Sequence, residues 1–87
     1  MPKDGEPWVT VSGKLTKINM AAVKEVWEEY AIRLESGEVV ILIGEKVGEF
    51  KEDMIGKKAS ISGVLKPRLR YAGNLTRTVE LRQIHSK

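Results

Sequence analysis

The sequence predicts an all-β fold of five strands with one short helix between the third and the fourth. Along most of the chain, apolar residues alternate with polar ones, which is the period of a half-buried strand. Between residues 45 and 57 the period changes. Phe50 and Met54 have the i, i+4 spacing of a helix face, and Gly56 follows as a helix-terminating glycine. At 87 residues, the chain is long enough for one domain with a small core.

The first strand is predicted over residues 8–18, where Val9 and Val11 begin an alternating apolar row. Gly13 lies inside this row, and an internal glycine in a strand marks a bulge or sharp coiling. Residues 19–29 fit both a loop and a helical turn, since alanines and a capping asparagine stand beside a helical spacing of apolar residues. We interpret them as a connection that enters the second strand by about Val26.

A β-hairpin is predicted over residues 30–43, with Gly37 at positive φ in its ESGE turn. Its second strand, VVILIG, is apolar on both faces. The fourth strand is predicted over residues 57–66 and the fifth over residues 77–84, both from alternation. Gly63 in ASISG repeats the pattern of the first strand's VTVSG, as expected of two strands that coil strongly to close a barrel.

This order of elements resembles the OB-fold superfamily, a five-stranded Greek-key barrel, over about residues 8 to 85. The shared phrases are GKLTKI, LESGEVVILIG and MIGKKASISGVL. The last is similar to the GK-x-V-x-V-x-G entry that is common in nucleic-acid-binding OB domains. The resemblance implies that the short helix plugs one end of the barrel and buries Phe50 and Met54. A small SH3-like barrel is the main structural alternative, and the interposed helix disfavours it.

Composition narrows the class of protein. Residues 1–7 contain two prolines, a glycine and charged residues, so we expect a flexible tail there and a folded domain over residues 8–87. The chain has no cysteine, which excludes disulfides and thiolate metal sites, and we expect a cytoplasmic protein without a cofactor. No apolar run approaches the ~20 residues of a membrane helix, so no membrane partner is expected.

Catalysis has little support in the sequence. The lone histidine, His85, stands near the C-terminus and is interpreted as a solvated residue. The carboxylate pairs at residues 28–29 and 52–53 are adjacent in sequence, and adjacent side chains do not converge on a strand or a helix. Clusters of metal-ligating residues are also missing from the sequence. We therefore expect a non-enzymatic protein with no catalytic and no metal-binding residues.

Charge is distributed unevenly along the chain. Residues 1–53 carry 7 Lys and Arg against 11 Asp and Glu, whereas residues 54–87 carry 8 against 1. The stretch of residues 66–82 alone holds four of the five arginines. A concentrated positive segment suggests an anionic partner.

The resemblance implies a binding face on the second and third strands, flanked by the 1–2 and 4–5 connections. Guanidinium groups match phosphate oxygens, and aromatic rings stack on unpaired bases. The expected function is thus non-catalytic binding of single-stranded DNA or RNA through a basic and aromatic 4–5 hairpin, which turns at Tyr-Ala-Gly-Asn (residues 71–74), and through the strand 2–3 face. The residues expected to contact nucleic acid are Lys14, Lys17, Trp27, Arg33, Lys66, Arg68, Arg70, Tyr71 and Arg77.

A protein-interaction module is the alternative function. One apolar row of the third strand must face outward, and Val40 and Leu42 are the row expected to form a homodimer or an interface in a larger assembly. In this interpretation Trp27 packs over the barrel end. Arg68 and Arg70 then meet an acidic partner or form an exposed strand edge, where positive charge discourages edge-to-edge pairing.

Overall fold

The computed structural model describes residues 7–85, and the predicted N-terminal tail, apart from Pro7, lies outside the described residues. Within residues 7–85 the secondary structure is β-strand with two short 3-10 turns, and the predicted all-β fold of five strands is confirmed. The strands are β1 Trp8–Ala21, β2 Val26–Arg33, β3 Val39–Ile43, β4 Lys58–Tyr71 and β5 Asn74–Ile84.

The five strands form one sheet that closes in a ring, in the order β1-β2-β3-β5-β4. β1 closes the ring because its first half pairs with β4 and its second half with β2. The pairs are antiparallel except β3 with β5, which is parallel. A long strand shared by two neighbours must coil strongly, and this requirement explains its internal glycine.

Two glycines allow the strands to approach closely where the ring closes. A Cβ atom built on Gly13 would lie 2.4 Å from the carbonyl oxygen of Arg33 in β2. A Cβ built on Gly63 would lie 2.0 Å from the carbonyl oxygen of Glu80 in β5. Both oxygens belong to the backbone of a paired strand, so a larger residue would push the strands apart.

The predicted helix between β3 and β4 is wrong. The segment forms two 3-10 turns, Glu45–Glu49 and Glu52–Met54. Phe50 separates them in an extended conformation, with φ −71° and ψ 147°, and places its ring in the core. The first turn starts after Gly44, which provides no side-chain cap, and it contains a further glycine that disfavours a helix. Core burial of Phe50 thus overrides the helical spacing.

β2 begins at Val26, as predicted, whereas β1 continues past its predicted end at residue 18 to Ala21. The expected connection over residues 19–29 is a turn at Ala22–Glu25, where each residue of the end pair donates its backbone N–H to the other's carbonyl. β3 pairs with β2 only at residues 31–33. Residues 18–21 and 26–29 therefore form a two-stranded extension, which we term the β1–β2 arm.

The predicted 4–5 hairpin with its turn at residues 71–74 is confirmed, and its two strands are longer than predicted. β4 runs to Tyr71 and β5 begins at Asn74, joined by Ala72 and Gly73 at φ 53° and 83°. Two positive φ values in a two-residue loop define a type I′ hairpin turn. The pairing register shifts between Lys66 and Leu69, which marks a bulge in β4. We term residues 66–77 the 4–5 hairpin.

Buried apolar residues form two clusters on opposite sides of the sheet. The interior cluster includes Val40 and Leu42, so the prediction that these two residues form the outer row is wrong. Pairing of Val40 with the fully buried Ile32 fixes this row inside the ring. The outer cluster consists of Ile18, Met20, Ala31, Val39 and Ile41, with Ile43 and Tyr71 packed against it.

Candidate functional site

Three exposed cations lie side by side across three neighbouring strands. Lys14 of β1 is the Cα partner of Lys58 in β4 and of Arg33 in β2. Directly opposed residues have Cβ atoms about 5 Å apart, and like charges at such positions repel. Within the part of the chain that the structure describes, none of the three side chains makes an ion pair or a hydrogen bond. We term these residues the cationic row.

Closure of the sheet creates the cationic row. Lys14 is the residue at which β1 changes its pairing partner from β4 to β2. Within β1, it alone has a Cα partner in both neighbouring strands. Gly13 permits the close approach of β2 at this point. A depression of about 370 Å³ lies at the row, with Leu34 and Glu35 completing its lining. The sequence predicted Lys14 and Arg33 and missed Lys58. The signal for Lys58 was its alternation with Ser60, which places both side chains on one face.

Tyr71 lies near one end of the cationic row. It is half-buried and packs against the outer cluster. It also lines a depression of about 260 Å³ between the tip of the 4–5 hairpin and the β2–β3 turn, together with Val39. Val39 is the Cα partner of Arg33. The structure therefore places Tyr71 beside Val39, the strand partner of one of the predicted cations, Arg33.

Arg68 and Arg70 are exposed on the 4–5 hairpin. Successive side chains of a strand point to opposite faces, so Arg70 lies on the other face of the hairpin from Tyr71. The guanidinium of Arg70 donates a hydrogen bond to the carbonyl of Gly73, with 3.2 Å between the atoms. The RLRY stretch thus offers cations and an aromatic ring on separate faces.

Three of the predicted cations are paired with carboxylates. Arg77 Nη2 contacts both carboxylate oxygens of Glu38, at 3.1 and 3.0 Å. Lys66 Nζ lies 3.4 Å from a carboxylate oxygen of Glu80. Lys17 donates to Glu52, and this hydrogen bond raises the pKa of its ammonium group. Their partners are distant in sequence, so these ion pairs could not be predicted from the alternation pattern.

Trp27 lies far from the cationic row. It stands six residues before Arg33 on β2, a separation of about 20 Å along a strand. Its side chain is 39% exposed, and Nε1 donates to Glu29 at 2.9 Å. The neighbouring Glu25 and Glu28 are also exposed acids. This end of β2 is negative, and it is a poor surface for phosphate.

A row of hydroxyl groups crosses β1 and β4 beside the C-terminal end of β5. Ser62 Oγ lies 2.8 Å from Thr10 Oγ1 and 2.7 Å from Nε2 of His85. His85 is exposed, as predicted, and it also makes this contact with the sheet. Ser62 is only 2% exposed, and its hydroxyl contacts both neighbours at hydrogen-bond distance. These contacts fasten the end of β5 to the sheet.

Neither metal ligation nor a membrane span is evident in residues 7–85. No group of three His, Asp or Glu side chains there is arranged to hold a metal ion. No helix in the same range has the length and apolar character to cross a membrane. No family model, curated protein or solved structure matches this chain. Function is therefore inferred from the cationic row, the 4–5 hairpin and the residues around them.

Proposed function

We propose that this protein is a non-catalytic, single-stranded nucleic-acid-binding domain of the OB type. The strand order β1-β2-β3-β5-β4, with β1 shared between two neighbours, supports the OB assignment because it is the order of a closed five-stranded Greek key. The surface proposed for binding differs from the one that the superfamily resemblance implies. It is centred on the cationic row, where β4, β1 and β2 meet.

The cationic row is the single observation that carries this function. Three adjacent cations without carboxylate partners raise the local potential, and an anion that lies along them would relieve their repulsion. The row spans two interstrand distances, about 10 Å in total. A single carboxylate or phosphate carries at most two negative charges and cannot balance all three cations, whereas a backbone with repeated phosphates can.

The surroundings of the row favour a single strand over a duplex. Tyr71 and the depression beside it lie next to Arg33's partner Val39, and an aromatic ring can stack on a base only when that base is unpaired. Arg68 and Arg70 are exposed on the other face of the 4–5 hairpin from Tyr71, so they are not part of this surface. Lys17, Trp27 and Arg77 are not part of the proposed binding surface.

The test is fluorescence anisotropy of a labelled, mixed-sequence single-stranded oligonucleotide at several salt concentrations. The variant Lys14→Gln/Arg33→Gln/Lys58→Gln removes the row. We expect its affinity at low salt to fall roughly tenfold or more. The negative slope of log K against log salt should become shallower by about 2, since three phosphate contacts of ~0.7 each are lost.

A matched control removes the same charge elsewhere. Lys24→Gln/Lys46→Gln/Lys51→Gln changes three lysines that lie outside the row, and it is expected to keep most of the affinity and the slope. Equal losses in both variants would show that binding depends on net charge alone. Absence of binding by the wild-type protein at low salt would end the proposal.

A further inference from the structure

β2 has a free edge along the β1–β2 arm. Residues 26–30 pair with β1, and no described strand pairs with them on the other side. Ala22 and Glu25 form a hydrogen-bonded pair, since each donates its N–H to the carbonyl of the other. In an antiparallel pair of strands, hydrogen-bonded residue pairs alternate with pairs that are not hydrogen-bonded. It follows that Val26 and Glu28 direct their backbone N–H and C=O groups away from β1.

The side chains on this edge are apolar and acidic. Val26 is 75% exposed, Trp27 is 39% exposed and Val23, in the adjoining turn, is 99% exposed. Glu28 and Glu29 follow them on the strand. An edge of this kind is a template for strand addition, and its carboxylates select a positively charged strand.

Among residues 7–85, β4 is an edge strand of the 4–5 hairpin beyond Leu65. β1 pairs with β4 only as far as Val64, and Leu65 then donates to the carbonyl of Pro7. Past this point, within residues 7–85, only β5 pairs with β4. Leu69 N–H is directed toward β5, where it donates to Thr78 Oγ1 at 3.2 Å. The next residue, Arg70, therefore directs its backbone groups outward.

The side chains of this second edge are apolar and basic. Leu69 is 37% exposed between the exposed Arg68 and Arg70. Pro67, which has no N–H to donate, precedes them. The two edges of one molecule thus both combine apolar with charged residues but have opposite charge.

We propose that the β2 edge of one copy pairs in antiparallel fashion with the β4 edge of a second copy. With Glu28 opposite Arg68, the outward-facing backbone groups of the two strands meet in register. Trp27 then lies opposite Leu69, and Val26 lies opposite Arg70. Pairing of two identical β2 edges is disfavoured, because it would bring acidic residues together.

The contact joins different surfaces of the two copies, so an open assembly keeps one free β2 edge at one end and one free β4 edge at the other. Head-to-tail contacts of this type produce rings or open filaments. The inference does not rest on nucleic-acid binding, since the cationic row takes no part in it.

The test is sedimentation velocity on nucleic-acid-free protein over a wide concentration range and at two salt concentrations. The wild-type protein is expected to associate as concentration rises, and added salt should weaken the association. Glu28→Lys/Glu29→Lys and Arg68→Glu/Arg70→Glu should each weaken it roughly tenfold or more, because each variant carries two edges of like charge. A mixture of the two variants should associate again, since opposite edges can then meet.

Glu45→Lys/Glu49→Lys is the control, because it reverses two charges outside both edges and should associate like the wild type. A wild-type protein that stays monomeric at every concentration would overturn the proposal and show that the charges only protect the edges. Association of the wild type without recovery in the mixture would place the contact on another surface. Neither result bears on the oligonucleotide titration, which uses variants of the cationic row.

Discussion

Gly63 shows how one residue decides whether the sheet can close. A Cβ at this position would lie 2.0 Å from a backbone oxygen of β5, and a backbone atom cannot move aside as a side-chain end can. We expect Gly63→Ala to lower the free energy of unfolding by about 3 kcal/mol or more, measured by urea denaturation.

Gly48 provides the matched control for this substitution. A Cβ built there meets nothing within 4 Å. Gly48→Ala should therefore leave the stability unchanged or raise it by up to ~1 kcal/mol, because alanine restricts the unfolded chain. Equal effects of the two substitutions would mean that strand closure at Gly63 is looser than described.

Individual residues differed in how well the sequence predicted them. The two strand glycines were recognisable, because a glycine inside an alternating apolar row marks a bulge or a close approach of two backbones. The pairing of Arg77 with Glu38 joins residues 39 positions apart, and that of Lys17 with Glu52 joins residues 35 apart. Such pairing depends on tertiary structure, so the sequence could not separate these cations from the unpaired ones.

At the scale of elements, the outer cluster acts as a second core. Ile41 of β3 faces away from the ring interior, yet it is fully buried between β1, β2 and the residues packed on them. We expect Ile41→Ala to lower the free energy of unfolding by about 2–5 kcal/mol, as in a closed core, measured by thermal and urea denaturation.

Leu75 is the control for the outer cluster. It lies on the 4–5 hairpin with 57% of its surface exposed, so Leu75→Ala should change stability by less than ~0.5 kcal/mol. If Ile41→Ala costs as little as Leu75→Ala, the outer face of β3 is open rather than covered.

The elements that were mispredicted share one physical cause, which is that tertiary contacts outweigh local pattern. Alternation identifies a strand, but it does not show which of its two rows of side chains faces inward. Both rows of β3 are apolar, so only its pairing register with β2 determines which row lies inside the ring. The strands of the 4–5 hairpin were predicted too short, because their charged residues interrupt the apolar alternation. The helix was favoured by local spacing, which the burial of Phe50 outweighed.

At the scale of the whole molecule, folding rearranges the charge that the sequence displays. The C-terminal segment is strongly basic, but the cationic row combines one of its lysines, Lys58, with Lys14 and Arg33 from the acidic N-terminal part. The charge asymmetry along the chain therefore indicated a positively charged surface, but of the three residues in the row it pointed only to Lys58. The overall strand number was predictable from periodicity, whereas the row needed the topology.

The meeting of β4, β1 and β2 at Lys14 also links binding to folding. The three cations come together only in the closed sheet, so an oligonucleotide that bridges them binds the native state and not the unfolded chain. At one hundred times its dissociation constant, such a ligand adds about 2.7 kcal/mol to the free energy of unfolding, or roughly 10 °C in Tm. Thermal denaturation with and without oligonucleotide measures this gain, and the row variant should show little of it.

The row variant itself should melt at a higher temperature than the wild type in low salt, because it lacks the mutual repulsion of the three cations. Added salt should reduce that difference. Closure of the sheet would then cost electrostatic repulsion among the three cations. The free energy of unfolding of the native protein would depend in part on the concentration of polyanions around it.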